Sequence, residues 1–371
     1  MLELFDLKPK TFGLDISDLS LKIAKIEKTG RGLELVSFGE YPIKFGLLKE
    51  GEIRKEKELA KTIKEALSQA TGEKIRERDV IASLPEEKAF LQVIQMPHIP
   101  EEDMASAVIY EAENYIPLPI EEVYLDSQII SPIENHLDHC DVLIAALPKK
   151  IVDPYVSCLK LAGLRPRALE IESLSIARAL VENEKTDSPV LIIDLGAMRT
   201  SFIIYSGRSL RFTVSIPVSS HKFTEAISQT LKVDLEKAER LKIEHGLKVG
   251  TKEGKEIFEA LIPSLTDLVE QIKKYLDFYQ THDSSCENLS AKNKGLNKIL
   301  LCGGGSNLEG LSDFLSDELK MTVEFGNPWI NILPKNQKII SKLSLAKSLS
   351  FTSALGLALR GVKENTQCSM N

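Results

Sequence analysis

PVLIIDLGAMRTSFIIYSG, residues 189–207, is an apolar run, an aspartate, one further apolar residue, a polar turn and a second apolar run. Runs rich in β-branched and aromatic residues on either side of turn formers are expected to be two strands joined by a short loop. The same order occurs near the start, where FGLDIS (12–17) is followed by LKIAKI (21–26). The chain is therefore expected to be duplicated in outline. Each copy places one acid, Asp15 or Asp194, at the end of an apolar strand. A third strand, KILLC (298–302), runs into Gly303, Gly304 and Gly305 and then into a helical pattern carrying Leu308, Leu311, Leu315 and Leu319.

Two acidic turns and one glycine turn in this order suit a nucleoside triphosphate held between two halves. Backbone N–H groups in such turns cradle phosphate oxygens, and glycine allows close approach of the main chain. Magnesium keeps several waters and takes one or two carboxylates, which suits Asp15 and Asp194 facing each other across a cleft and holding the ion through water. Taken singly, each turn is equally ordinary turn chemistry. No G-x-x-x-x-G-K-[ST] is present, which disfavours a P-loop enzyme. Gly303 and Gly305 begin a dinucleotide fingerprint, but Leu308 stands at its closing position.

The 371 residues are enough for two or more compact units, and 43% hydrophobic with 27% charged residues is a globular balance. A net charge of -7 argues against nucleic acid as a partner. Cys140, Cys158, Cys286, Cys302 and Cys368 are scattered without a CxxC pair, the pattern of a reducing, cytosolic compartment. No run of about 18 apolar residues occurs, so membrane contact is expected only through a protein partner. Leu59, Ile63, Ala66 and Leu67 give 54–70 a helical stripe. Between 79 and 166 strand-like runs at 80–84, 90–96, 123–130 and 142–147 surround helical segments, as in an inserted α+β unit. One of those helices follows Pro100, with Met104, Val108, Ala112 and Tyr115 on a face. Further helices are expected at 222–231, 235–244 and 263–280, a loop at THDSSCENLSAKNKG (281–295) and a frayed tail at KENTQCSMN (363–371). His136, His139 and Cys140 lack a second ligand pair and read as a polar loop rather than a zinc site. Trp329 reads as packing beside Pro328.

GLDISDLSLK (13–22), LIIDLGAMRTS (191–201), SIPV (215–218), AERLK (238–242), LLCGGGSNLEGL (300–311) and ALGLALR (354–360) together resemble the actin, Hsp70 and FtsA superfamily. QMPHIPEEDMASAVIYEAENYIPLPIEEVYLD, LAGLRPRALEIESLSIARAL and the NPW at 327–329 bring the resemblance nearest to the PilM family of type IV pilus assembly. It extends over about 12–361. The resemblance implies an α/β, actin-like two-lobed fold. The first lobe would be 1–78 with 165–187, the inserted α+β subdomain 79–164, the second lobe 188–218 with 296–362, its helical subdomain 219–295, and a disordered tail 363–371.

By position, the resemblance implies a first phosphate loop from Asp15 to Ser20, including Ser17 and Asp18, with Lys22 beside it. Asp194 to Thr200, with Gly196, would be the second, and Gly303, Gly304, Gly305 and Ser306 would approach the adenosine. Glu239 and Lys242 match the superfamily's adenosine-flanking pair. Their i, i+3 spacing puts both on one helix face, which serves a solvated charged surface equally well. Ser17, Ser219 and Ser220 stand where the family commonly has glycine, and Arg199 where it has a small hydroxyl residue. Glu170 and Glu172 are the candidates for orienting an attacking water, or exposed acids at a helix entry.

The resemblance further implies ATP and Mg2+ as ligands and the N-terminal cytoplasmic peptide of PilN as partner, bound against the inserted unit. Other pilus platform and motor proteins are expected as neighbours, along with homo-oligomers, at the cytoplasmic side of the inner membrane. The rivals are an actin-fold ATPase or phosphotransferase with real turnover, the L-type component of a type II secretion system, and an FtsA-like filament protein, whose amphipathic terminal helix KENTQCSMN does not supply.

Overall fold

The computed structural model describes residues 9–30, 32–130, 139–282, 295–296, 298–333 and 343–367. Strands β1 (Thr11–Ile16), β2 (Ser20–Thr29) and β3 (Gly32–Pro42) form an antiparallel meander. A ribbon of β4 (Leu48–Lys49) and β5 (Glu52–Ile53) leads to α1 (Glu56–Gln69), which buries Leu59, Ile63 and Ala66 at the spacing expected from the sequence. β6 (Thr71–Gly72) pairs with β3, and β7 (Asp79–Leu84) lies parallel to β1.

The chain then leaves this sheet. β8 (Phe90–Pro97), α2 (Glu101–Ala112), β9 (Val123–Ile130) and β10 (His139–Pro148) build a separate antiparallel sheet in the order β8-β10-β9, with Val108 and Ala112 of α2 packed against it. α3 (Lys149–Leu161) and β11 (Arg165–Ile171) return to the first lobe, β11 pairing parallel with β7. The insertion is therefore narrower than the expected 79–164. β7 is buried along its whole length, as a central parallel strand must be, and Val80, Ala82, Ile151 and Tyr155 share one core with β1.

α4 (Glu172–Leu180) leads to β12 (Thr186–Leu195), β13 (Thr200–Gly207) and β14 (Ser209–Ile216), then to α5 (Ser220–Leu231), α6 (Leu235–His245) and α7 (Lys252–His282). Pro263 lies inside α7 rather than at its start, because buried Ile257 and Leu261 continue the stripe of Leu265, Leu268 and Ile272 through it. β15 (Lys298–Cys302), α8 (Leu311–Leu319), β16 (Thr322–Phe325), α9 (Leu345–Leu349) and α10 (Thr352–Gln367) follow. The second sheet runs β14-β13-β12-β15-β16, with the same mixture of antiparallel and parallel pairs as β3-β2-β1-β7-β11. The duplication read from the two hairpins thus extends to whole sheets.

The lobes exchange helices. α4 follows the first sheet yet packs Ile176, Ala177 and Leu180 on Val190, Ile192 and Ile203 of the second. α10 follows the second sheet yet packs Ala354, Leu355 and Ala358 against Ala24, Ile26 and Leu35 of the first. The two helices touch so closely that a Cβ on Gly356 would lie 1.8 Å from the Ser175 carbonyl oxygen. Residues 345–362, expected with the second lobe, hence cover the first, and α4 does the converse. α10 also carries helix to Gln367 where a frayed tail was expected from 363. Residues 368–371, most of the 281–295 loop and His136 lie outside the described residues.

Candidate functional site

The ends of β1, β12 and β15 converge on a cleft of about 360 Å³ between the lobes. Asp15 and Ser17 line one wall, Asp194, Gly196 and Arg199 the other, and Gly303, Gly304 and Gly305 a third side. In the first turn, Ser17 N and Oγ both donate to Ser20 O at 3.0 Å. Ser17 is not among the positive-φ residues, so its side chain fits this turn without backbone strain. Lys22 Nζ donates to Ser20 Oγ at 2.8 Å and lies 3.9 Å from Asp15 Oδ2. Asp18 accepts from Gly51 N at 3.0 Å and Glu50 N at 3.1 Å, which ties the turn to the β4–β5 ribbon.

In the second turn, Gly196 N donates to Arg199 O at 2.9 Å, and the start of α5 is fastened beneath it by Ser220 N to Gly196 O at 3.1 Å. Ser219 caps α5, its Oγ accepting from Lys222 N at 3.3 Å. A serine there satisfies a helix-start N–H that glycine would leave to water. Thr200 is buried and donates to Val218 O at 2.8 Å, so it holds the turn rather than facing the cleft. The third turn requires glycine: at Gly303, with φ +85, a Cβ would lie 2.4 Å from Asp194 Oδ1. A Cβ on Gly305 would lie 2.7 Å from Leu195 Cγ, whereas Gly304 meets little. Ser306 is buried and donates to Gly303 O at 2.7 Å.

The adjacent acid and lysine of α6 divide. Glu239 lines the cleft. Lys242 is 5% exposed and donates to Ser220 Oγ and Thr224 Oγ1, both at 2.8 Å, while standing 2.7 Å from Glu239 Oε2. Burial lowers the Lys242 pKa, opposed by Glu239. The solvated-face reading therefore fails for Lys242, which ties α6 to α5. Glu170 and Glu172 divide likewise. Glu172, at the start of α4, lines the cleft. Glu170 points elsewhere and is gripped by Arg178 through bonds of 2.5 and 2.7 Å.

Seven acidic side chains line the cleft against Lys22 and Arg199. Burial, helped by Asp15, pushes the Asp194 carboxyl up to about 6. Burial together with Asp15, Glu87 and Asp194 holds Glu172 well above the usual carboxylate range. This is negative charge that a cation would relieve. Among the described residues no group of three or more His, Cys, Asp or Glu side chains is placed to hold a metal. A cation here would rest on Asp15 and Asp194, with waters and phosphate oxygens completing its shell, which is magnesium's habit and not zinc's. The donor set and the glycine cradle fit a magnesium nucleotide.

Three contributors escaped sequence reading. Ser353 donates to Asp15 Oδ1 at 3.2 Å from the far end of the chain, and Cys302 Sγ lies 3.7 Å from Asp194 Oδ1. Glu87 lines the cleft with its pKa raised by burial. Ser353 stands one residue before the ALGLALR motif and Cys302 one before the glycines, the signals that could have found them.

Among the described residues no helix is long and apolar enough to cross a membrane. The chain is similar to FtsA of Staphylococcus epidermidis, 23% identical over 95% of this chain and 82% of that protein. It is 26% identical to FtsA of Borreliella burgdorferi over 55% of this chain, a match spanning only 50% of that relative. A chain of the PilM-PilN type IV pilus biogenesis complex superposes with a TM-score of 0.78 at 32% identity, covering 95% of this chain and 98% of that one. MreB5 of Spiroplasma citri bound to ADP superposes with a TM-score of 0.55 at 13% identity over 97% and 99%, a likeness of fold. The family described as type IV pilus assembly protein PilM matches residues 13–362; with the duplicated sheets and exchanged helices, this shows that the chain belongs to the PilM family and has the actin-like fold.

Proposed function

We propose that this chain is a nucleotide-dependent adaptor of the type IV pilus assembly platform, acting at the cytoplasmic side of the inner membrane through protein partners. ATP with Mg2+ bridges the two lobes, and the state of the cleft sets the shape of a groove that receives the N-terminal tail of PilN. The observation that carries this reading is the placing of Asp15 and Asp194 on opposite walls of one cleft whose third side is glycine. When bound, the magnesium nucleotide supplies the charge that holds those walls together.

A second cavity, of about 650 Å³, lies between the insertion and the first lobe. It is bordered by Tyr124 and Leu125 of β9, Leu147 of β10, Val156 of α3 and Leu169 of β11. β9 and β11 are edge strands of their sheets, so their outer backbone groups are available for strand addition by an extended peptide. The two cavities share elements. Glu172 faces the cleft while Glu170, two residues earlier, borders the groove; Ser353 and Arg360 of α10 do the same. The insertion is also anchored to the second lobe by Asp141 Oδ2, which accepts from Arg211 Nη1 at 2.6 Å with both side chains buried. Lobe movement would therefore be felt in the groove, and by linkage peptide would be felt in the cleft.

Fluorescence anisotropy with a labelled PilN tail peptide tests the reading. Tighter binding with Mg2+ and ATP supports it, and absence of binding in both conditions removes the adaptor role. The place of Glu172 favours one second reading, slow hydrolysis with Glu172 orienting water; turnover lost in Glu172→Gln would establish it.

A further inference from the structure

We propose that Arg199 distinguishes a nucleoside triphosphate from a diphosphate by receiving the terminal phosphate, an inference that rests on nucleotide binding in the cleft. The cleft has two ends. Gly303, Gly305, Ser220 and Glu239 gather at one, where a Cβ on Gly305 would lie 2.9 Å from Ser220 Cβ. Gly51, Pro85, Glu87, Asp18 and Arg199 gather at the other, where a Cβ on Gly51 would lie 2.4 Å from Pro85 Cβ and 3.1 Å from Glu87 Oε1. Asp15, Glu172 and Asp194 lie between. A nucleotide with its base at the glycine end runs its phosphates past the aspartates, and only a third phosphate reaches the far end.

At that end the charges are not alike in availability. Both Asp18 oxygens are already engaged by backbone N–H groups. Glu87 is pushed towards its neutral form by burial, with Arg199 acting in the opposite direction. Arg199 is anchored by one edge, its Nε donating to Ser215 Oγ at 2.9 Å. Among the described residues that is its one side-chain hydrogen bond, and Glu87 acts on it through charge. A guanidinium held at Nε with Nη1 and Nη2 open is preorganised for two parallel bonds to phosphate oxygens. Lys22 belongs to the first lobe and is turned towards Asp15 and Ser20, so it does not duplicate this role.

Calorimetric titration of the full chain with ATP and with ADP, both with Mg2+, reads the assignment. Arg199→Ser should weaken ATP about 10- to 100-fold, the range for a charge-assisted contact, with ADP changed less than about twofold. Arg199→Lys keeps the charge but not the fork and should fall between. Glu87→Gln removes the competing acid and should strengthen ATP alone. Equal weakening of both nucleotides in Arg199→Ser, or unchanged ATP binding, overturns the assignment while leaving nucleotide binding intact. Failure of the unaltered chain to bind either nucleotide overturns both.

Discussion

Asp194→Asn should make the ligand-free protein more stable. Asp194 is displaced from its usual 3.8 to about 6 by burial and by Asp15. At about 1.4 kcal/mol per pH unit, that corresponds to about 3 kcal/mol of penalty for holding it ionised. The cleft is open to water on one side, so about 1–2 kcal/mol is the working figure. Because the folded-state value lies above the unfolded one, the penalty is absent below about pH 4 and complete above about pH 6. At pH 7.5 the asparagine variant should therefore melt about 1–3 °C higher than the unaltered chain in differential scanning calorimetry. The gap should shrink to about half by pH 5 and close near pH 4. A variant that melts lower at pH 7.5, or a gap that ignores pH, would refute the argument, since the carboxylate would then be held by contacts stronger than its repulsion.

Three further outcomes follow from the same geometry. Asp141→Ala takes a buried carboxylate away from Arg211, which is 3% exposed, and should cost about 3–5 kcal/mol in urea denaturation; replacing both by apolar residues should recover most of it, and a loss below about 1 kcal/mol would contradict a buried tie. Gly356→Ala puts a Cβ 1.8 Å from the Ser175 oxygen and should lower stability by about 1–3 kcal/mol as α4 and α10 are forced apart; an unchanged denaturation midpoint would show that the helix crossing is loose. Affinity for Mg2+ with ATP should drop about fourfold between pH 7.5 and 5.5, because protons compete for Asp194, whose pKa is about 6; calorimetry showing tighter binding at the lower pH would reverse that sign.

The two hairpins were legible because strand alternation and turn chemistry are local. Asp15, Asp194 and the glycines could be named for the same reason: each ends a strand whose apolar run is plain in the sequence. The exchange of helices was not, since α4 and α10 carry ordinary amphipathic stripes that say nothing of which sheet receives them. Gly13, Gly326, Gly356 and Gly361 bear its mark, and a glycine in a strand or helix has several explanations until its neighbour is known: a Cβ on Gly13 would lie 2.4 Å from Ala354 O. The insertion was read too wide because β7, buried on both faces, resembles any short apolar run. Glu170 and Glu172 sit two apart on the exit from a strand, and their opposite directions were set by Arg178, eight residues beyond Glu170. Ser353 reaches Asp15 across 338 positions of sequence, a contact no spacing rule can supply.

The measurement nearest to the centre of the account is a titration of the full chain with ATP, with and without Mg2+, repeated on Asp15→Asn and Asp194→Asn. The account predicts one nucleotide per chain, binding that needs the metal, and loss of the metal's contribution in either variant. Stoichiometric binding that survives both substitutions and is indifferent to Mg2+ would contradict it, because the two carboxylates would then have no shared task.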